Sequence, residues 1–124
     1  MRNYLTSRCG APESHVVVLT NEAATRHGIL SNFENHLVQN PRIKKGDAII
    51  FYYAGYGSRI DAPSGWFTGD NKVDTICPYD ERTQDSNDKF IHGIPDRTID
   101  ALMCRLASHK GDNIVRASYI PFIL

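Results

Sequence analysis

Short runs of apolar residues alternate along this chain with segments that have the spacing of amphipathic helices. Strands are predicted at residues 15–19 and 48–54, and a third begins at residues 113–115. Helices are predicted at residues 25–38 and from Pro95 to His109. Because strands that alternate with helices form parallel sheets with right-handed crossovers, the pattern predicts an α/β fold with a mostly parallel sheet.

Capping residues support both helix predictions. Thr25 is a suitable N-cap for the first helix, Pro95 suits the first turn of the second, and Gly111 suits its C-cap. Residues 2–8 are predicted as the end of a further helix. The apolar faces of the two main helices are formed by Ile29, Leu30, Phe33 and Leu37, and by Ile99, Leu102, Met103 and Leu106.

Residues 57–92 are rich in glycine, proline, aspartate and serine and contain the only tryptophan, Trp66. Loops of this length in compact domains usually carry function or are disordered. Within the stretch, residues 75–80 are predicted as a short strand.

Composition narrows the class of protein. A length of 124 residues suits one domain, and 14 basic against 14 acidic residues give no surface typical of nucleic-acid binding. No apolar run approaches the roughly 20 residues of a membrane span, and the N-terminal segment lacks the apolar core of a signal peptide. Cys9, Cys77 and Cys104 are sparse and lack metal-binding spacing, which favours a reducing cytoplasm over a disulfide framework.

The segment 47–59 carries the strongest functional signal. Its apolar run ends abruptly at Tyr56, which stands between Gly55 and Gly57. Open α/β sheets build their sites at the carboxyl ends of strands, so Tyr56 is expected at such a site.

Residues 51–58, Phe-Tyr-Tyr-Ala-Gly-Tyr-Gly-Ser, resemble the (F/H)YxGHGS segment of the caspase-like cysteine peptidases, in particular metacaspases and their fungal relatives. The chain also resembles further segments of the family, in the same order, at residues 17–25, 46–47, 76–80 and 91–96. The resemblance covers about residues 4–115 and implies a three-layer caspase-like fold. It also implies cleavage of peptide bonds after Arg or Lys by a Cys–His dyad.

The chain departs from this family at the dyad itself. Tyr56 stands at the position of the dyad His, and Gly57 at the position whose backbone N–H binds the oxyanion. A phenol, with a pKa of ~10, is a far scarcer base at neutral pH than an imidazole, with a pKa of ~6.5. The family's D(S/C)CHSG segment does not follow Val115, so no nucleophilic cysteine is assigned and the endopeptidase activity is predicted to be absent.

The resemblance places the family's first strand before Met1, so residues 1–124 are interpreted as a single partial caspase-like domain, truncated at both ends. The tail after Val115 fits a true remnant as well as a shifted reading frame.

Other side chains receive the plainer interpretation. His92 and His109 are expected in a loop and at a helix end rather than as a base, and Cys77 and Cys104 are expected to be inert and away from Tyr56. Surface positions are expected for His15, His27 and His36.

Two groups in the stretch 57–92 have both a functional and a structural interpretation. Arg59 and Trp66 either line a substrate groove or pack a loop. Calcium is the one candidate cofactor, because metacaspases often need it and oxygen-rich loops suit it, although carboxylates in loops are also commonly just solvated. The carboxylates are Asp70, Asp74, Asp80, Asp85 and Asp88.

Three functional hypotheses follow. The first is an inactive peptidase domain whose family acts on peptide or protein substrates. The second is a non-catalytic module that binds a full-length caspase-like relative through exposed sheet edges. The third is a small flavodoxin-like ligand-binding domain. Against it, residues 20–23 of this chain are not the glycine-rich phosphate loop expected at the first strand-to-helix turn of such a domain.

Overall fold

A computed structural model describes residues 1–120 and confirms the α/β class. The α-helices are α1 (Arg2–Ser7), α2 (Arg26–Asn32) and α3 (Asp96–Lys110). The strands are β1 (Ile49–Ala54), β2 (Gly57–Asp61), β3 (Lys72–Ile76), β4 (Ile94–Pro95) and β5 (Ile114–Tyr119). Within residues 1–120, no helix has the length and apolar character needed to cross a membrane.

The first predicted long helix forms in two parts. Thr25 is its N-cap and accepts a hydrogen bond from the N–H of Gly28 at 3.0 Å, as predicted. After α2 the chain continues as a π-helical segment, Phe33–Val38. There the N–H of Gln39 donates to the carbonyl of Glu34, five residues earlier, at 2.8 Å. The wider turn still buries Phe33 and Val38 on the core side.

Helix α3 confirms the second helix prediction and its C-terminal signal. Gly111 ends it with φ 86°, a positive value that favours glycine. Pro95 lies at the N-cap rather than inside the first turn.

The strands form two small sheets rather than the one mostly parallel sheet predicted. In the parallel pair, β1 runs beside β5 with Ile49 opposite Ile114 and Ala54 opposite Tyr119. The other sheet is antiparallel, in the order β2-β3-β4. The prediction of parallel pairing is therefore confirmed for β1 and β5 only, because the chain after β1 folds back on itself instead of crossing over.

The stretch 57–92 is ordered, so its interpretation as a long loop is wrong. It contains β2, β3 and a small hairpin in which Ile91 accepts from the N–H of Arg82 and donates to the carbonyl of Thr83, each at 2.8 Å. The strand predicted at residues 75–80 overlaps β3 only at residues 75 and 76, where β3 ends.

The strand predicted at residues 15–19 does not form. His15 ends a 3-10 turn, and Val16 and Thr20 have extended backbones, but no strand within residues 1–120 pairs with this segment. Val17 and Val18 are consequently exposed. A β-branched run favours extended backbone, but a strand also needs a partner for its N–H and C=O groups.

The core lies between the helices and one face of the parallel sheet. One cluster joins α3 to the π-helical segment and β1, and a second joins α3 to the antiparallel sheet. The buried members are Phe33, Val38, Ile49 and Leu106 in the first cluster, and Ile76, Ile94 and Ile99 in the second.

The opposite face of the parallel sheet is bare. The apolar run of residues 48–54 has little alternation and so predicts a parallel strand covered on both faces, yet Ile50 is 49% exposed and Tyr52 is 42% exposed. This prediction is wrong because α2, its π-helical extension and α3 all pack on the Ile49 and Phe51 side. We call Ile50, Tyr52, Val115 and Tyr119, all exposed, the outer face.

Candidate functional site

The structure places Tyr56 where the sequence predicts, directly after β1 and before β2. The residue is 61% exposed. Its backbone carbonyl accepts hydrogen bonds from the Tyr53 hydroxyl at 2.6 Å and from the N–H of Cys77 at 2.9 Å. Gly57 opens β2 and pairs with Ile76 in the antiparallel register. The phenol is thus presented to solvent from a turn whose backbone is firmly held.

Tyr53 is the residue that holds this turn. Its hydroxyl donates to the Tyr56 carbonyl, lies 3.2 Å from the carbonyl oxygen of Cys77, and accepts from the Cys77 N–H at 3.3 Å. Burial raises the pKa of the Tyr53 phenol, so it remains a neutral donor. The end of β1 is thereby fastened to the end of β3.

Cys77 lies beside Tyr56, contrary to the expectation that the two would be apart. Strands β2 and β3 pair antiparallel, with Gly57 opposite Ile76. The residue before Gly57, which is Tyr56, is therefore adjacent to the residue after Ile76, which is Cys77. The pKa of the Cys77 thiol is raised to about 11, chiefly by burial and in second place by a hydrogen bond with Glu81. At neutral pH this thiol is protonated, which makes it a poor nucleophile.

A small polar cluster surrounds Cys77. The Ser58 hydroxyl lies 3.0 Å from the Thr75 hydroxyl and donates to Glu81 Oε1 at 3.3 Å. The Glu81 carboxylate helps to raise the Cys77 pKa, because a nearby negative charge disfavours the thiolate. Glu81 therefore opposes thiol activation, and its effect on the Cys77 pKa exceeds the smaller, opposite effect of the hydrogen bond with Ser58.

The histidines and remaining cysteines lie elsewhere. His109, at the end of α3, contacts the Arg105 carbonyl through Nδ1 at 2.9 Å, and His92 is exposed. Cys9 and Cys104 are exposed free thiols. Hydrogen bonding joins no cysteine to a histidine anywhere in residues 1–120, so the described chain has no assembled Cys–His pair.

Several acidic residues of the stretch 57–92 bind other groups of the chain itself. Asp70 and Asp74 form ion pairs with Arg59. The pKa of Asp70 is lowered chiefly by a hydrogen bond from the backbone N–H of Lys72 and also by the positive charge of Arg59. Asp80 accepts from the backbone N–H of Arg26 at 2.8 Å. Within residues 1–120, no group of three or more histidines, cysteines or carboxylates is arranged to hold a metal ion. Calcium binding remains an untested prediction.

A groove of about 410 Å³ lies beside the antiparallel sheet, and of its lining residues the sequence predicts only Trp66. It is bordered by the β2–β3 connection, the hairpin of residues 82–91 and the start of α3. Trp66 lines it, and the Arg97 guanidinium stacks over the Trp66 ring at 5.3 Å. Arg59 is not among the lining residues. The sequence signal for the groove is the single tryptophan in a loop. No local pattern places Arg26 in the same groove.

Comparison with known proteins adds no identification, since no family model, curated protein or solved structure matches this chain.

Proposed function

We propose that this chain is a catalytically inactive relative of the caspase-like cysteine peptidases, which bind and cleave peptides after Arg or Lys, and that it binds another protein instead. The sequence resemblance of residues 51–58 and the tyrosine at the dyad position support this proposal. The position of Tyr56 after the parallel strand β1 agrees with it. The protonated thiol of Cys77 also agrees, because the cysteine nearest to Tyr56 is unsuited to attack a carbonyl.

The observation that carries the binding function is the outer face. Parallel sheets are almost always covered on both sides, yet Tyr52 and Tyr119 remain largely exposed here. Contiguous apolar surface of this kind marks interaction sites. Within residues 1–120, β1 and β5 each pair with one strand only, so each also offers a free edge for strand addition. The proposed partner is a full-length caspase-like relative that supplies a strand and an apolar surface.

The inactivity is tested with Arg- and Lys-peptidyl fluorogenic substrates. We expect the purified chain to show the same background as a variant in which Cys77 and Cys104 are both alanine. Tyr56→His should stay inactive, because the family's nucleophile segment is still missing and burial and Glu81 still keep the Cys77 thiol protonated. Turnover by the native chain that the double variant lacks would show the proposal of inactivity to be wrong.

The binding function is tested by titrating a full-length caspase-like relative by calorimetry. Tyr52→Lys and Tyr119→Lys should each weaken binding by about tenfold, because buried aromatic anchors dominate interface energies. The control is Tyr79→Lys, which changes a tyrosine of similar exposure, 58%, outside the β1–β5 sheet. Absence of binding, or equal weakening by all three substitutions, would contradict a role for the outer face.

A further inference from the structure

We propose that the groove lined by Arg26 and Trp66 binds a small carboxylate that carries an aromatic ring. Its volume of about 410 Å³ lies in the range of small-ligand sites, roughly 300–1,000 Å³. Most of the wall is apolar, with Ile60, Trp66 and Phe90 among the lining residues. A mostly apolar cleft with a few placed polar groups is the usual form of a ligand pocket.

Arg26 provides the positive charge. Its Nη1 donates to the carbonyls of His92 at 3.2 Å and Gly93 at 2.9 Å, which fixes the guanidinium against the groove wall. Its side chain forms no ion pair with any carboxylate of residues 1–120. A guanidinium has five N–H donors in a planar fork, so Nε and Nη2 remain to bind a carboxylate.

Asp85, the one acidic lining residue, does not cancel this charge by pairing with Arg26. Its Oδ1 accepts from the backbone N–H groups of Asn87 at 2.8 Å and Lys89 at 3.1 Å, within its own turn. The same turn shapes the hairpin that carries Phe90 into the wall. Asp85 is thus engaged within its own turn, whereas Arg26 keeps unused N–H donors, and this donor set favours an anionic ligand over a cationic one.

The aromatic part of the ligand is inferred from Trp66 and Phe90. Trp66 is positioned by Arg97, which stacks on its ring and donates to the carbonyl of Phe67 at 2.6 Å. Phe90 is 61% exposed, which is unusual for a phenylalanine that lines a cleft. A ligand ring packed in the groove would cover this surface and gain the offset contacts that aromatic pairs prefer.

The test uses 3-phenylpropionate as the probe and 3-phenylpropylamine as its cationic counterpart. Since Trp66 is the only tryptophan, its fluorescence reports on the groove directly. We expect saturable binding of the carboxylate in the millimolar range, and binding of the amine that is at least about tenfold weaker, because hydrogen bonds to charged groups are the strong ones. Equal binding of both compounds, or no saturable change, would overturn the proposal.

Variants assign the two halves of the site. Arg26→Gln should weaken carboxylate binding by about tenfold, with Arg42→Gln, an exposed arginine outside the groove, as the control. Because Arg26 also holds two backbone carbonyls, circular dichroism must show that its variant is folded. Phe90→Ala removes only an exposed side chain and should also weaken binding, whereas Phe67→Ala, 90% exposed and outside the lining, should not. Unchanged affinity in folded Arg26→Gln and in Phe90→Ala would overturn the assignment.

Discussion

Replacing Tyr53 by phenylalanine removes one oxygen atom from the contact that fastens the end of β1 to the end of β3. The hydroxyl donates to the Tyr56 carbonyl at 2.6 Å and also contacts the backbone of Cys77. The ring itself stays, so the packing of Tyr53 against the second core cluster is preserved. The substitution therefore isolates the hydrogen bonds from the apolar contacts.

The expected cost is about 1 kcal/mol, the net worth of a typical intramolecular hydrogen bond. A larger value is not expected, because the Cys77 N–H still donates to the Tyr56 carbonyl at 2.9 Å in the variant. Of these backbone groups, the Cys77 carbonyl is the one left without its partner, which is the hydroxyl at 3.2 Å, and Cys77 is partly open to water. A full desolvation penalty of about 1–3 kcal/mol therefore does not apply.

Urea denaturation measures this cost, and the neighbouring tyrosine supplies the control. Tyr52 lies next to Tyr53 on the same strand but on the outer face, so Tyr52→Phe should change stability by less than about 0.5 kcal/mol. The midpoint should fall for Tyr53→Phe with an unchanged denaturant slope. Equal midpoints for the two variants would refute the conclusion that the Tyr53 hydroxyl holds the turn.

Three further substitutions or conditions test the core and the helix surface. Leu106→Ala empties a fully buried position and should cost about 3 kcal/mol in urea denaturation. Gly93→Ala would place a Cβ 2.5 Å from Thr75 Oγ1 and should cost about 2 kcal/mol or more, whereas Gly69→Ala, with open space around it, should be nearly neutral. The Arg105 hydrogen bonds lower the pKa of Glu34 to about 2 from 4.5, so their stabilising effect is fully present above pH 4.5 and is lost as the pH falls towards 2. Thermal melts across this range should show this loss of stability in the native chain and a smaller loss in Glu34→Gln, where the lowered pKa of Asp70 still contributes.

The elements predicted correctly are those whose signals act within a few residues. Thr25 accepts a hydrogen bond from an N–H three residues away, and Gly111 ends its helix with a positive φ that favours glycine. The apolar spacing of α3 needs only a core on one side, and Leu106 is fully buried there. Such features depend little on the rest of the chain, which is why composition and spacing sufficed to predict them.

The wrong predictions concern partners rather than propensity. Residues 15–19 have the β-branched composition of a strand, but no strand of the described chain lies beside Val17 and Val18. Ile50 and Tyr52 belong to a real strand, yet their face lacks the layer that parallel sheets normally carry. Apolar residues become buried only where other segments of the chain pack against them. A local sequence pattern does not specify which segments those are.

The candidate site shows the same dependence most clearly. Tyr56 was predictable as a residue at a strand end, whereas its contact with Cys77 depends on the register of β2 against β3. In β3 the exposed and buried positions alternate from Lys72 to Thr75, so a slip by one residue would turn Lys72 and Asp74 inward. The burial of Val73 and Thr75 thus fixes the register, and the register puts Cys77 within hydrogen-bonding distance of Tyr56. The position of Cys77 beside Tyr56 is accordingly set by the burial of two β3 residues and not by any local signal at Tyr56.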